Sequence, residues 1–160
     1  MKTRPLIAIA LAACAIPALA ADPPAVPYPE GYRDWHHVKS MVIEEGHPLY
    51  ASFGGIHHLY ANKLALEGYR TGRFPDGSII VFDLLAADRA DAAVVEGPRK
   101  VVGVMHKDAG RWAATGGWGF EGFAGDSKTE RAVGAKAAEA CFACHAPQKA
   151  TDYVFSRSRP

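Results

Sequence analysis

Cysteine is scarce in this chain: 160 residues contain three, Cys14, Cys141 and Cys144. Three cysteines do not make a disulfide framework. The close pair Cys141/Cys144 lacks the second short-spaced ligand pair that a structural zinc site requires. An excess of either charge is also missing, with 18 Lys+Arg against 17 Asp+Glu. Nucleic-acid binding calls for a clear basic surplus, so that class is set aside. No internal repeat is found. The apolar run Leu6–Ile16 covers only eleven residues, too few for a stable membrane-spanning helix.

That short run has a different reading. Lys2 and Arg4 precede it, Pro17 breaks it, and Ala18-Leu19-Ala20 forms an A-x-A cleavage site before Ala21-Asp22. Met1–Ala20 therefore reads as a secretory signal. Leu11-Ala12-Ala13-Cys14 resembles a bacterial lipobox, which would leave a lipid anchor on Cys14. The continued apolarity of Ala15–Ala20 favours plain export. Removing residues 1–20 takes away two bases and no acids, so the mature part carries 16 bases and 17 acids, net −1. Cys14 leaves with the signal, and the mature chain keeps one cysteine pair.

That pair is Cys141-Phe142-Ala143-Cys144-His145. The spacing C-x-x-C-H is the attachment signature of a c-type haem. Each sulfur adds to one haem vinyl group, and the adjacent histidine supplies the proximal nitrogen to iron. A thioredoxin-like redox pair would open a helix after a strand, whereas this one follows an alanine-rich stretch. The expectation is one haem c, held covalently by Cys141 and Cys144, with His145 as the metal ligand.

About 140 mature residues make one domain over 31–160, preceded by a proline-rich extended arm at 21–30. Tyr32–Trp35 reads as a helical turn and Val38–Ile43 as a short strand. Tyr50–Tyr60 is a second strand candidate, loosened by Gly54-Gly55, and Ala61–Tyr69 a short helix. Phe74-Pro75-Asp76-Gly77 is a turn. Ser78–Leu85 is the strongest strand, built on Ile79, Ile80, Val81 and Phe82. Lys100–Met105 and Trp118–Phe123 are further strands. Asp126–Cys141 reads as a helix opened by the capping box Ser127-Lys128-Thr129-Glu130. Strands first and a haem helix last give an α+β fold: mainly antiparallel sheet, short flanking helices and a C-terminal haem-attachment helix.

Several segments in order carry a resemblance. They are Tyr32-Arg33-x-Trp35, Phe74-Pro75-Asp76-Gly77, Met105-x-Lys107-Asp108, Gly117-Trp118-x-Phe120, the haem motif, and Thr151-Asp152-Tyr153-Val154-Phe155-Ser156. Together they resemble the cytochrome P-460 family, which implies a small periplasmic β-rich haem protein, commonly a homodimer. One branch of that family oxidises hydroxylamine and links a lysine to the haem. This chain has Phe82 at the lysine's strand position, His57 where the enzymes have an arginine, and Ala146-Pro147-Gln148 where they have a carboxylate. The other branch, cytochrome c′-beta, lacks the cross-link and caps a five-coordinate iron with aromatic residues. The chain is more similar to that branch, with Phe53 and Phe82, on neighbouring strands, as the caps.

Such a site takes NO or CO, which bind ferrous iron without help, whereas O₂ needs a nearby donor. The partner is then a small gas, with an unidentified redox partner if electrons are passed. The alternatives are a hydroxylamine- or NO-oxidising or peroxidase-like enzyme, and a plain electron carrier with a second axial ligand. Phe53 and Phe82 could equally be core residues. His57 could be a distal base or sixth ligand, or one of a strand pair with His58. Met105 could be axial or core, and Arg33 could pair with a propionate or lie on the surface. His36, His37, His47 and His106 read as solvated, and Trp118 and Phe120 as packing around haem or core. Acid–acetone extraction of the holoprotein is expected to leave the haem on the polypeptide; release of free haem would refute covalent attachment.

Overall fold

The computed structural model describes residues 25–159, so the signal and lipobox readings lie outside the described residues. Five strands run β1 His36–Ile43, β2 Gly55–Ala61, β3 Ile79–Ala90, β4 Ala93–Lys107 and β5 Trp118–Ala124. They pair antiparallel in sequence order, each with the next, as one open sheet. A helical turn, α1 (Tyr50–Phe53), precedes β2, and α2 (Lys63–Thr71) connects β2 to the turn before β3. The C-terminal part is helical: a π turn at Ala138–Phe142, α3 (Ala143–His145) and a 3₁₀ turn at Ala146–Thr151. The α+β class, mainly sheet with short helices and a C-terminal helix, is observed.

Side chains alternate across a sheet, and both faces are covered. One face packs Val81, Val102, Val104 and Phe123 against Val26, Tyr32 and Trp112, so the N-terminal arm closes it. The other packs Leu59, Ala61, Ile80, Trp118 and Phe120 with Ala65 of α2, Phe74 and Val154. Cys141, Phe142 and Tyr153 border this second cluster, together with Phe82 and Met105. The haem motif and the strongest strand therefore share one side of the sheet.

Three segments depart from the sequence reading. Tyr50–Phe53 is helical and the strand begins only at Gly55, so Phe53 sits on a turn before β2 and not on a strand. Gly55 makes that junction: its φ is +133°, and a Cβ there would lie 2.1 Å from the Leu85 carbonyl oxygen. The β3–β4 hairpin is longer than propensity indicates, because Ala86–Arg99 is rich in alanine and charge yet stays paired down to Ala90↔Ala93. Asp91 and Ala92, at φ 50° and 61°, form the tight turn, which needs positive φ at both central residues.

The third departure is Asp126–Cys141, which is not one helix. Ser127 Oγ accepts from the N–H groups of Thr129 (3.2 Å) and Glu130 (2.9 Å), but no helix follows. The chain instead returns to bridge Arg131 to Phe123. Glu121, on β5, then takes the backbone N–H of Gly134 at 2.9 Å and the Arg131 guanidinium at 2.8 Å. A buried carboxylate thus claims the N–H groups that the alanine-rich propensity would have used.

Within the arm-side core, Asp83 is fully buried. Its carboxylate accepts from Tyr32 Oη at 2.8 Å and Arg99 Nε at 2.7 Å. Arg99 also pairs with Asp126. Burial and this carboxylate push the Tyr32 hydroxyl well above its ordinary value. Removing one member of a buried pair strands its partner, so Asp83→Ala is expected to lower the unfolding free energy by about 3–5 kcal/mol. Tyr32→Phe is expected to cost about 1 kcal/mol. Denaturant titration of both variants checks the ratio.

Candidate functional site

Cys141 and Cys144 lie on the helical run Ala138–His145, one turn apart, and neither forms a disulfide. Burial pushes the Cys141 thiol above its ordinary value. His145 follows at the end of α3. Its Nδ1 donates to the Tyr153 carbonyl oxygen at 2.7 Å, which fixes the tautomer and leaves Nε2 as the lone-pair nitrogen. A hydrogen bond from the far ring nitrogen orients a metal-ligating imidazole. Burial pushes His145 below its ordinary value, partly offset by that bond, so the ring is held in the neutral, ligating form. The rings of Phe120 and Phe155 flank it at 5.0 and 4.8 Å between centroids.

The Tyr153 carbonyl is itself held in place. Asp152 and Tyr153 have φ of 53° and 65°, a left-handed conformation uncommon outside glycine. Asp152 is buried, and its carboxylate accepts from Lys107 Nζ at 2.8 Å and from the Phe74 N–H at 2.9 Å. Its carbonyl accepts from Trp118 Nε1 at 2.8 Å. Lys107 Nζ also donates to the Gly116 carbonyl at 2.9 Å and stands over the Trp118 ring. The ends of β4 and β5 and the turn before β3 are thus bolted to the residue next to the one that aims His145. As site residues Lys107 and Asp152 were missed. The signal for them was their place in two of the ordered motifs, Met105-x-Lys107-Asp108 and Thr151-Asp152-Tyr153, which gave neither residue a role.

On the same face of the sheet, Phe82 of β3 pairs across to Leu59 and Gly103. Gly103 has no side chain, and the Phe82 ring leans over it, 3.0 Å from where a Cβ would be. Gly122 of β5 pairs with Gly103, and a Cβ there would lie 3.2 Å from both Val101 and Val133 side chains. Phe53 meets Phe82 edge to face at 5.8 Å. The two proposed caps are therefore in contact, although Phe53 reaches Phe82 from a helical turn.

His57 is buried and packs on Phe82 at 4.6 Å. Its Nε2 donates to the Phe53 carbonyl at 2.5 Å. Burial pushes its pKa down, with the bond to Phe53 opposing and nearby Lys100 reinforcing. Lys100 Nζ donates to the next carbonyl, Gly54, at 2.8 Å. The His57 ring and the Lys100 ammonium thus hold consecutive carbonyls of the segment that carries Phe53. Met105 packs among the haem-side apolar residues across from Phe120. Arg33, His36 and His47 are exposed. His106 is half-buried against Trp112, with Nδ1 unpartnered among the described residues, a correction to its reading as a solvated ring. Trp118 and Phe120 are core residues.

These residues fit a c-type haem on two observations: free thiols one turn apart, and an adjacent imidazole with Nδ1 already committed. A family model described as Cytochrome P460 matches residues 29–156. No curated protein matches the chain.

Asp152→Ala is expected to lower holoprotein stability by about 3–5 kcal/mol, since it strands the buried Lys107 ammonium. It is also expected to shift the haem reduction potential through the loosened Tyr153 carbonyl. Lys128→Ala, which removes a solvent-exposed pair with Glu30, is expected to change neither. Denaturant titration and spectroelectrochemistry read the two effects.

Proposed function

Because the chain belongs to the cytochrome P460 family and is a haem c cytochrome, we propose that it captures small neutral gases, NO or CO, at an aromatic-capped distal side. In this reading it is an exported, periplasmic mono-haem protein closer to the cytochrome c′-beta branch. It exchanges electrons with a redox partner, and its native form is a homodimer. Cys141 and Cys144 hold the haem and His145 ligates it. When bound, the haem supplies an iron that accepts a diatomic ligand and changes oxidation state.

One observation carries the reading: Phe53 and Phe82 meet edge to face beside a histidine whose Nε2 is spent on the Phe53 carbonyl. Phenyl rings donate no hydrogen bond, so a ligand that gains negative charge on binding finds no stabilisation there. They also carry no nucleophile, so Phe82 cannot form the lysine-type link of the hydroxylamine-oxidising branch. His57, neutral and engaged, is not positioned as a base for N–H or O–H bonds. Its role is to hold Phe53, with Lys100 holding Gly54.

Stopped-flow mixing of the ferrous holoprotein is expected to show saturable spectral changes with NO and CO and no long-lived change with O₂. Steady-state assays with an electron acceptor are expected to show negligible hydroxylamine oxidation. A stable O₂ spectrum, or hydroxylamine turnover, would overturn the reading in favour of a donor or base over the iron.

A further inference from the structure

The face of the sheet away from the haem motif carries a polar cluster that the proposed function does not use. Ser40 of β1 and His58 of β2 are direct cross-strand partners. Ser40 Oγ lies 2.6 Å from His58 Nδ1, and His37 Nε2 lies 2.8 Å from the same oxygen. His58 Nε2 lies 2.7 Å from Glu96 Oε1, which reaches over from β4. The His37 and His58 rings are 5.9 Å apart.

Strict alternation would put His37 and Ser40, three residues apart, on opposite faces. The register of β1 shifts between His37 and Lys39, where Val38 is the extra residue and is buried in the haem-side core. This bulge turns His37 onto the face of Ser40 and His58. Bulges commonly re-aim a side chain in this way beside functional sites.

The hydrogen positions follow from the partners. An ionised carboxylate only accepts, so His58 Nε2 carries the hydrogen and Nδ1 the lone pair. Ser40 has one hydroxyl hydrogen, given to His58 Nδ1, so His37 Nε2 donates to Ser40 Oγ. Two imidazole nitrogens thus meet at one hydroxyl oxygen, with a carboxylate behind one ring. Carboxylate–histidine–metal groups use this arrangement to orient the ring and raise its basicity. Burial, with His58 next in effect, keeps His37 below its ordinary value, favouring the neutral ring that ligates.

We propose that His37 Nε2, His58 Nδ1 and Ser40 Oγ form a surface site for a divalent transition-metal ion of the copper(II) or zinc(II) class, with Glu96 behind His58. Binding moves the His37 hydrogen to Nδ1 or to solvent and turns the Ser40 hydroxyl hydrogen away from His58 Nδ1, which frees both nitrogens to ligate. Among the described residues no group of three or more His, Cys, Asp or Glu side chains is placed to hold a metal ion, so the proposed protein ligands are two imidazoles and one hydroxyl, and solvent would complete the shell. The site is therefore open and exchangeable. Imidazole nitrogen suits copper and zinc, and copper(II) heads the affinity order.

The test is titration of the haem-loaded full chain with copper(II), read by calorimetry and by electron paramagnetic resonance. One saturable equivalent with hyperfine splitting from two nitrogens is expected. His37→Gln and His58→Gln are each expected to weaken it more than tenfold, and Glu96→Gln by about 10–100-fold, all with unchanged haem absorption. The haem spectrum reports the fold and the haem reading separately from the copper signal. The proposal is overturned if no saturable equivalent appears at micromolar copper. It is equally overturned if the equivalent persists undiminished in both histidine variants, which would place the ion at His36, His47 or the amino terminus.

Discussion

The buried pair between Lys107 and Asp152 is the constraint on which the haem side of this protein depends. Two charges removed from water cost more than their mutual attraction returns unless other bonds complete their shells. Here they do. Asp152 also takes the Phe74 N–H, and Lys107 also donates to Gly116 and stands over Trp118. The pair therefore gathers the turn before β3, the ends of β4 and β5, and the C-terminal turn at a single point. It also stabilises two successive left-handed residues, whose conformation is otherwise unfavourable. The consequence reaches the proposed ligand: the Tyr153 carbonyl meets His145 Nδ1 beside a fixed Asp152.

The opposite end of the haem side is organised by weaker forces. Phe53 is partly exposed and sits on a single helical turn, which has no stability of its own. Its position comes from bonds to backbone, His57 to the Phe53 carbonyl and Lys100 to the Gly54 carbonyl, and from the edge-to-face contact with Phe82. Ligand side and cap side thus differ in kind. A buried ion pair sets one rigidly, and two side-chain bonds hold a short turn at the other. Such a turn belongs to the low-stability end of a structure, which suits a face proposed to admit a gas.

Part of this was legible in the chain. Ile79–Phe82 read as a strand and is one, because β-branched and aromatic residues fit a pleated, half-buried surface whatever packs on it. The order of strands and the haem motif at the C-terminus followed from local signals as well. Other signals misled. Ser127 to Glu130 has the local bonding of a helix start, but the Glu121 carboxylate, distant in sequence, took the N–H groups that would have propagated it. Phe53 was read as a strand residue because Gly54-Gly55 looked like an interruption and not a beginning. The lower half of the β3–β4 hairpin was missed because alanine and charge there pair through backbone alone.

What the sequence by itself determined is the local and periodic information: the C-x-x-C-H spacing marks where a haem is expected to attach, and alternation indicates which residues share a sheet face. Those are properties of near neighbours. The tertiary structure alone decided which carbonyl aims His145, where His57 spends its nitrogen, and that a bulge at Val38 brings His37 beside Ser40 and His58. His57 reaches a carbonyl only four residues away and His145 one eight residues away, but each geometry depends on packing and register set by segments distant in the chain. Such a bond has no local signature, because a lysine or histidine has the same propensity whether its partner is water or a buried carbonyl.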